Sequence, residues 1–181
     1  IDVSTLGTIT EIAQWTFDAD EEGWTDSTGF DIGTLTHPTF GWVDSGAIGI
    51  TTADNNSFGF WAAPLQTLEA AKMYIVHVNA GVAITAEAGK TEKPSMRIRM
   101  FDSQNHVIGM LQTPVWTLYE KPAVTKDVTF NDYYAYFVNQ GGPGTQIGIQ
   151  IDMVNLGTNS PSVTQLVINE VTISSASISP F

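Results

Sequence analysis

The 181-residue chain contains no cysteine. Disulfides, thiolate metal sites and a cysteine nucleophile are therefore excluded. Basic residues are scarce: 7 Lys and Arg stand against 19 Asp and Glu, a formal net charge of −12. A phosphate backbone is repelled by such a chain, so nucleic acid is not an expected partner. An anionic membrane surface is disfavoured on the same ground. No apolar run approaches the ~20 residues of a membrane span. Long helical patterns are missing too. The one stretch with helical spacing, Leu65–Lys72, makes about one or two turns and organises nothing. Catalytic signatures are absent as well: no nucleophile elbow, no HExxH and no P-loop. His37, His77 and His106 fall on separate segments without ligand spacing. The chain does not read as an enzyme.

What is present points to a packed all-β domain. Hydrophobic residues make up 43% of the chain and charged residues only 14%, which suits a core rather than disorder. The length suits one domain. Residues 1–11 read as a first strand or as an N-terminal arm, and 12–181 as the single domain. The chain begins at Ile1, is rich in Thr, Ser, Gly and Asn, and has little Lys. These features lead to the expectation of a secreted or cell-surface protein.

Period-two alternation recurs along the chain, as half-buried strands require. Met73–Asn79 sets Tyr74, Val76 and Val78 against Ile75, His77 and Asn79. Met96–Phe101 sets Met96, Ile98 and Met100 against Arg97, Arg99 and Phe101. Gln146–Val154 sets Ile147, Ile149 and Ile151 against Gln150 and Asp152. About a dozen such segments, separated by Gly, Pro, Asn and Asp turns, predict a β-sandwich or barrel. The 73–79 and 96–101 segments read as one central pair. Its outer side would then collect His77, Asn79, Arg97 and Arg99 on one polar face.

Trp15-Thr16-Phe17-Asp18 with Gly23-Trp24 resembles the opening of jelly-roll carbohydrate-binding modules of galactose-binding-like type. Gly59-Phe60-Trp61 and Lys72-Met73-Tyr74-Ile75-Val76 are similar to their middle strands. Pro94-Ser95-Met96-Arg97-Ile98-Arg99 resembles the strand that follows. Leu166-Val167-Ile168-Asn169-Glu170-Val171-Thr172-Ile173 is similar to their closing strand. The resemblance spans most of 12–174. It implies a two-sheet antiparallel jelly-roll β-sandwich, a polysaccharide or glycan partner and no catalysis. Asn169-Glu170 departs from the family's usual pair of Asp, and Asp18 from its usual Glu.

The resemblance also implies structural calcium where the opening and closing acids meet. Calcium takes several hard oxygen ligands, and the expected set is Asp18, Asp20, Glu22 and Glu170. For glycan binding, aromatic rings would stack on sugar faces while planar polar groups bind hydroxyls. The candidates are Trp61, Tyr134 and Tyr136 as platforms, with His77, Arg97, Arg99, Gln150 and Asp152 as polar partners. Trp42 and Trp116 are alternatives at loops or edges. Trp24 reads as core. A second expectation is a structural subunit of an extracellular filament, sheath or surface layer. There the β-prone Ile1–Thr10 would add a strand to the sheet edge of an identical subunit.

Overall fold

The computed structural model describes residues 6–26, 39–43, 46–51, 60–69, 72–84, 95–101, 107–114, 130–139, 146–152 and 164–178. These hold eleven strands: β1 (Leu6–Trp15), β2 (Thr25–Asp26), β3 (Thr39–Val43), β4 (Ala47–Thr51), β5 (Phe60–Ala62), β6 (Met73–Ile84), β7 (Ser95–Phe101), β8 (Val107–Pro114), β9 (Asn131–Val138), β10 (Gln146–Asp152) and β11 (Thr164–Ile178). The larger sheet has the order β3-β4-β11-β6-β9, with β1 also on β11. The smaller has the order β2-β5-β10-β7-β8. The strand pairs are antiparallel. The fold is the expected two-sheet jelly-roll sandwich.

Alternation decides what each strand buries. On β6, Tyr74, Val76, Val78 and Ala80 are buried, while Ile75, His77 and Asn79 are only partly so. On β7, Met96, Ile98 and Met100 are buried and Arg97 and Arg99 partly exposed. On β11, Leu166, Ile168, Val171 and Ile173 point inward. Inner side chains of both sheets join one cluster with Trp15, Phe17, Trp24 and Trp61. Trp24 meets Trp15 edge-on at 5.3 Å and Phe17 at 5.7 Å. It is the core residue the sequence implied.

The expected central pair does not exist. Strand β6 is flanked by β11 and β9, while β7 lies between β10 and β8 in the other sheet. Both hydrogen-bonding edges of each strand are thus occupied. The two strands lie in different sheets rather than pairing as a hairpin. Their apolar sides meet across the core, about 10 Å apart. Their polar sides therefore face opposite directions.

Strand β11 carries two shorter strands end to end on one edge. Thr51 to Ile48 of β4 pair with Gln165 to Ile168, and β1 pairs with Val171 to Ile178. Residues 6–11 are thus the start of a strand laid on its own domain. Between these partners lies a bulge: Ile168 opposes Ala80 and Glu170 opposes Asn79, leaving Asn169 as the extra residue.

The stretch Leu65–Lys72 is not helical in its described part. Buried Asn139 holds it extended, donating Nδ2 to the Leu68 and Glu69 carbonyls at 3.1 and 3.2 Å. The Glu69 amide donates to the Tyr74 hydroxyl at 2.6 Å. These contacts take up the groups that a helical turn would have paired internally.

Candidate functional site

The outer face of the larger sheet is laid out by register, because directly opposed residues share a face. One row runs Gln14, Thr172, His77, Tyr134 across β1, β11, β6 and β9. The next runs Glu170, Asn79, Asp132. On the other side, Ser174 and Ile75 lead to Tyr136. Tyr134 and Tyr136 are 51% and 47% exposed on β9, an edge strand of this sheet.

Two carboxylates on this face are oriented in the same way. Asp132 Oδ1 meets His77 Nε2 at 2.8 Å and accepts from Asn79 Nδ2 at 2.9 Å. Glu170 Oε1 accepts from Gln14 Nε2 at 3.0 Å and from Thr172 Oγ1 at 3.2 Å. Asn169 extends the first set by donating Nδ2 to Asn79 Oδ1 at 3.3 Å. A bulge re-aims side chains, and here it brings Asn169 and Glu170 together onto the outer side. The hydrogen bond from Asn79, then that from His77, holds the Asp132 carboxyl below its ordinary value. His77 also stacks on Tyr134, ring centroids 4.9 Å apart.

The other expected site residues lie elsewhere. Trp61 is not a platform: it is 3% exposed, and its Nε1 donates to the Gly49 carbonyl at 2.9 Å inside the core. Arg97 and Arg99 do not join His77, because β7 is in the opposite sheet. That side of the smaller sheet is covered at two described positions. Phe101 and Ala62, outward by alternation, are 5% and 8% exposed and form their own small cluster. Gln150 is the register partner of Arg97, and Asp152 of Ser95. The side chains of Gln150 and Asp152 lie outside the described residues, as does Trp116. Trp42 sits on edge strand β3 opposite Ile48, with its Nε1 donating to the Phe17 carbonyl at 2.7 Å.

The acids expected to hold calcium do not fit one cage. Asp18, Asp20 and Glu22 serve their own turn. Thr16 Oγ1 donates to Asp18 Oδ2 at 2.8 Å, the Glu22 amide to Asp20 Oδ1 at 2.7 Å, and the Thr16 amide to Glu22 Oε2 at 3.1 Å. These bonds secure left-handed backbone at Phe17, Glu22 and Gly23. Glu170 is held by Gln14 and Thr172 on the sheet face. Among the described residues, no three His, Asp or Glu side chains converge to share an ion.

No protein-family model matches the chain, and no curated protein matches its sequence. Solved structures do match. The apo CBM1 module of BiXyn10A superposes with a TM-score of 0.59 at 10% identity, covering 91% of this chain and 98% of that one. The xylan-binding module CBM15 gives 0.53 at 14%, covering 92% and 95%. The chain has the fold of a jelly-roll carbohydrate-binding module. The fold also occurs inside larger proteins. The enzymatically active domain of tailspike protein 4 from bacteriophage CBA120 matches at 0.50 and 15% identity, over 87% of this chain but 20% of that one.

On this face the expected Tyr134, Tyr136 and His77 stand together, beside Asp132 and Gln14, which the sequence reading does not name. That reading assigns Glu170 to a metal. Asp132 was legible: it shares parity with Tyr134 and Tyr136 along β9. Gln14 was not, because only the pairing of β1 with β11 brings it to Glu170.

Proposed function

We propose that the chain is a non-catalytic module that binds a polysaccharide on the outer face of its larger sheet. The observation that carries this is the exposed pair Tyr134 and Tyr136 beside carboxylates already oriented by His77, Asn79, Gln14 and Thr172. A sugar ring offers an apolar face to an aromatic and hydroxyls to fixed acceptors. Preformed groups lose less freedom on binding. The shared fold with a xylan-binding module supports the reading. The reading places the protein outside the cell, where polysaccharide is met. Calcium has no part in it.

Two observations separate this reading from its rivals. The hydroxyl opposite His77, that of Thr172, donates to Glu170, so a base–nucleophile contact is not made there. From Leu6 onward β1 is paired to its own β11, so its described part lends no support to a filament built by adding the Ile1–Thr10 arm to a neighbour's sheet; residues 1–5 lie outside the described residues. Binding is tested by depletion of the protein onto insoluble or immobilised polysaccharides. Retention on at least one, weakened by Tyr134→Ala, is expected. A folded protein that no polysaccharide retains would overturn the proposal.

A further inference from the structure

The charge layout of this face narrows the ligand, on the premise that the face binds glycan at all. Asp132 and Glu170 lie in one row, with Asn79 between them. Among the described residues, each is engaged through one oxygen: Oδ1 of Asp132 and Oε1 of Glu170. Among the described residues, nothing engages Asp132 Oδ2 or Glu170 Oε2. An ionised carboxylate oxygen accepts hydrogen bonds and cannot donate. Two strand spacings, roughly 10 Å, separate the two backbones. Both carboxylates therefore present an unused acceptor toward the same solvent side as Tyr134 and Tyr136.

No described cation offsets these charges on this face. Arg97 and Arg99 belong to the opposite sheet. Lys72 sits before the start of β6 and is ion-paired with Glu69 at 2.7 Å. His77 already faces Asp132 and Tyr134. Glu11, opposite Ser174, adds a further acid to the sheet. The whole chain carries −12.

We infer that the face selects an uncharged polysaccharide and rejects polyuronates and sulfated chains, with Asp132 and Glu170 as the discriminating residues. Hydroxyls of a neutral sugar supply the donors that these oxygens lack. A uronate or sulfate brings another acceptor and a like charge. At about 4 Å, each such charge pair disfavours binding by roughly fivefold even in bulk water. Added salt weakens that exclusion by screening.

The test uses the full chain and bead-immobilised probes at 20 mM and 0.5 M salt. Xylan, mannan and mixed-linkage β-glucan are the neutral set. Polygalacturonate and chondroitin sulfate are the anionic set. Retention by a neutral chain and by neither anionic chain at low salt is expected. The double variant Asp132→Asn/Glu170→Gln should bind that neutral chain about tenfold more weakly, because each loses a charge-assisted acceptor. Its thermal melt shows whether it is folded. If the melt fails, the single variants carry the measurement. Equal or tighter retention by an anionic chain overturns the inference while leaving glycan binding intact. Unchanged neutral binding by the folded variants removes the roles of Asp132 and Glu170. Retention by no probe in either set is instead a failure of the glycan-binding reading.

Discussion

His77 stacks on Tyr134 across the β6–β9 pair, with ring planes 30° from parallel. The imidazole packs against the phenol ring, which remains 51% exposed. Truncating either Tyr134 or Tyr136 to Ala should lower polysaccharide affinity about five- to tenfold, on the scale of an aromatic contact. Both rings are about half exposed, so the melting temperature should move little. Isothermal calorimetry with a thermal melt checks both. A large loss of stability with unchanged affinity would contradict the assignment.

Asp132 should give the protein a small, pH-dependent share of its stability. Its carboxyl is held below the ordinary value by Asn79 first and His77 second, so folding favours the ionised form. That contribution is present above the unfolded value near about 4 and fades as pH falls through the lowered native value. Because the side chain is more than half exposed, the effect is a few tenths of a kcal/mol, about the size of a surface ion pair. Denaturant melts should show Asp132→Asn slightly less stable than the wild type at pH 6. The gap should close as pH falls through the lowered native value. A gap that stays constant with pH would assign it to packing.

Trp61 separates a core role from a binding role. Trp61→Ala should cost about 3–5 kcal/mol, the range for deleting a buried aromatic. Trp61→Phe keeps most of the packing but leaves the Gly49 carbonyl without its donor, at about 1–3 kcal/mol. Urea unfolding measures both. A platform residue would instead lose affinity at unchanged stability.

Chelation should leave the protein as it is. An ion present at about 100 times its dissociation constant would stabilise the fold by about 2.7 kcal/mol, several degrees of melting temperature. Asp18, Asp20 and Glu22 are occupied in their own turn, and Glu170 is on the sheet face. Melts in EDTA and in millimolar calcium should therefore coincide. A shift of several degrees between them would reveal a site.

Asn139→Leu should destabilise the fold by about 1–3 kcal/mol, because the carbonyls of Leu68 and Glu69 lose their shared donor. Hydrogen exchange should also rise at the Glu69 amide, which the same strap positions against Tyr74. A fall in global stability without faster exchange there would leave the strap without a role in holding this stretch.

Much of the fold was legible because burial acts locally on a strand. Tyr74, Val76 and Val78 turn inward, as do Met96, Ile98 and Met100, and period two alone says so. The same rule placed Tyr134 and Tyr136 on one side of β9. It failed for Trp61, whose three-residue strand is too short for alternation to show which side faces the core.

Alternation in the sequence was enough to set the apolar side of the longer strands, and composition the all-β class and the scarcity of positive charge. Tertiary structure decided which strands are neighbours. Alternation is a property of one chain segment, whereas pairing depends on hydrogen-bonding edges that other strands compete to fill. Strand β6 gave its edges to β11 and β9, and β7 to β10 and β8, so His77 and Arg97 ended on opposite sides of the sandwich. Only the bulge at Asn169 and the pairing of β1 with β11 brought Glu170 and Gln14 to the face where Tyr134 and Asp132 already stood.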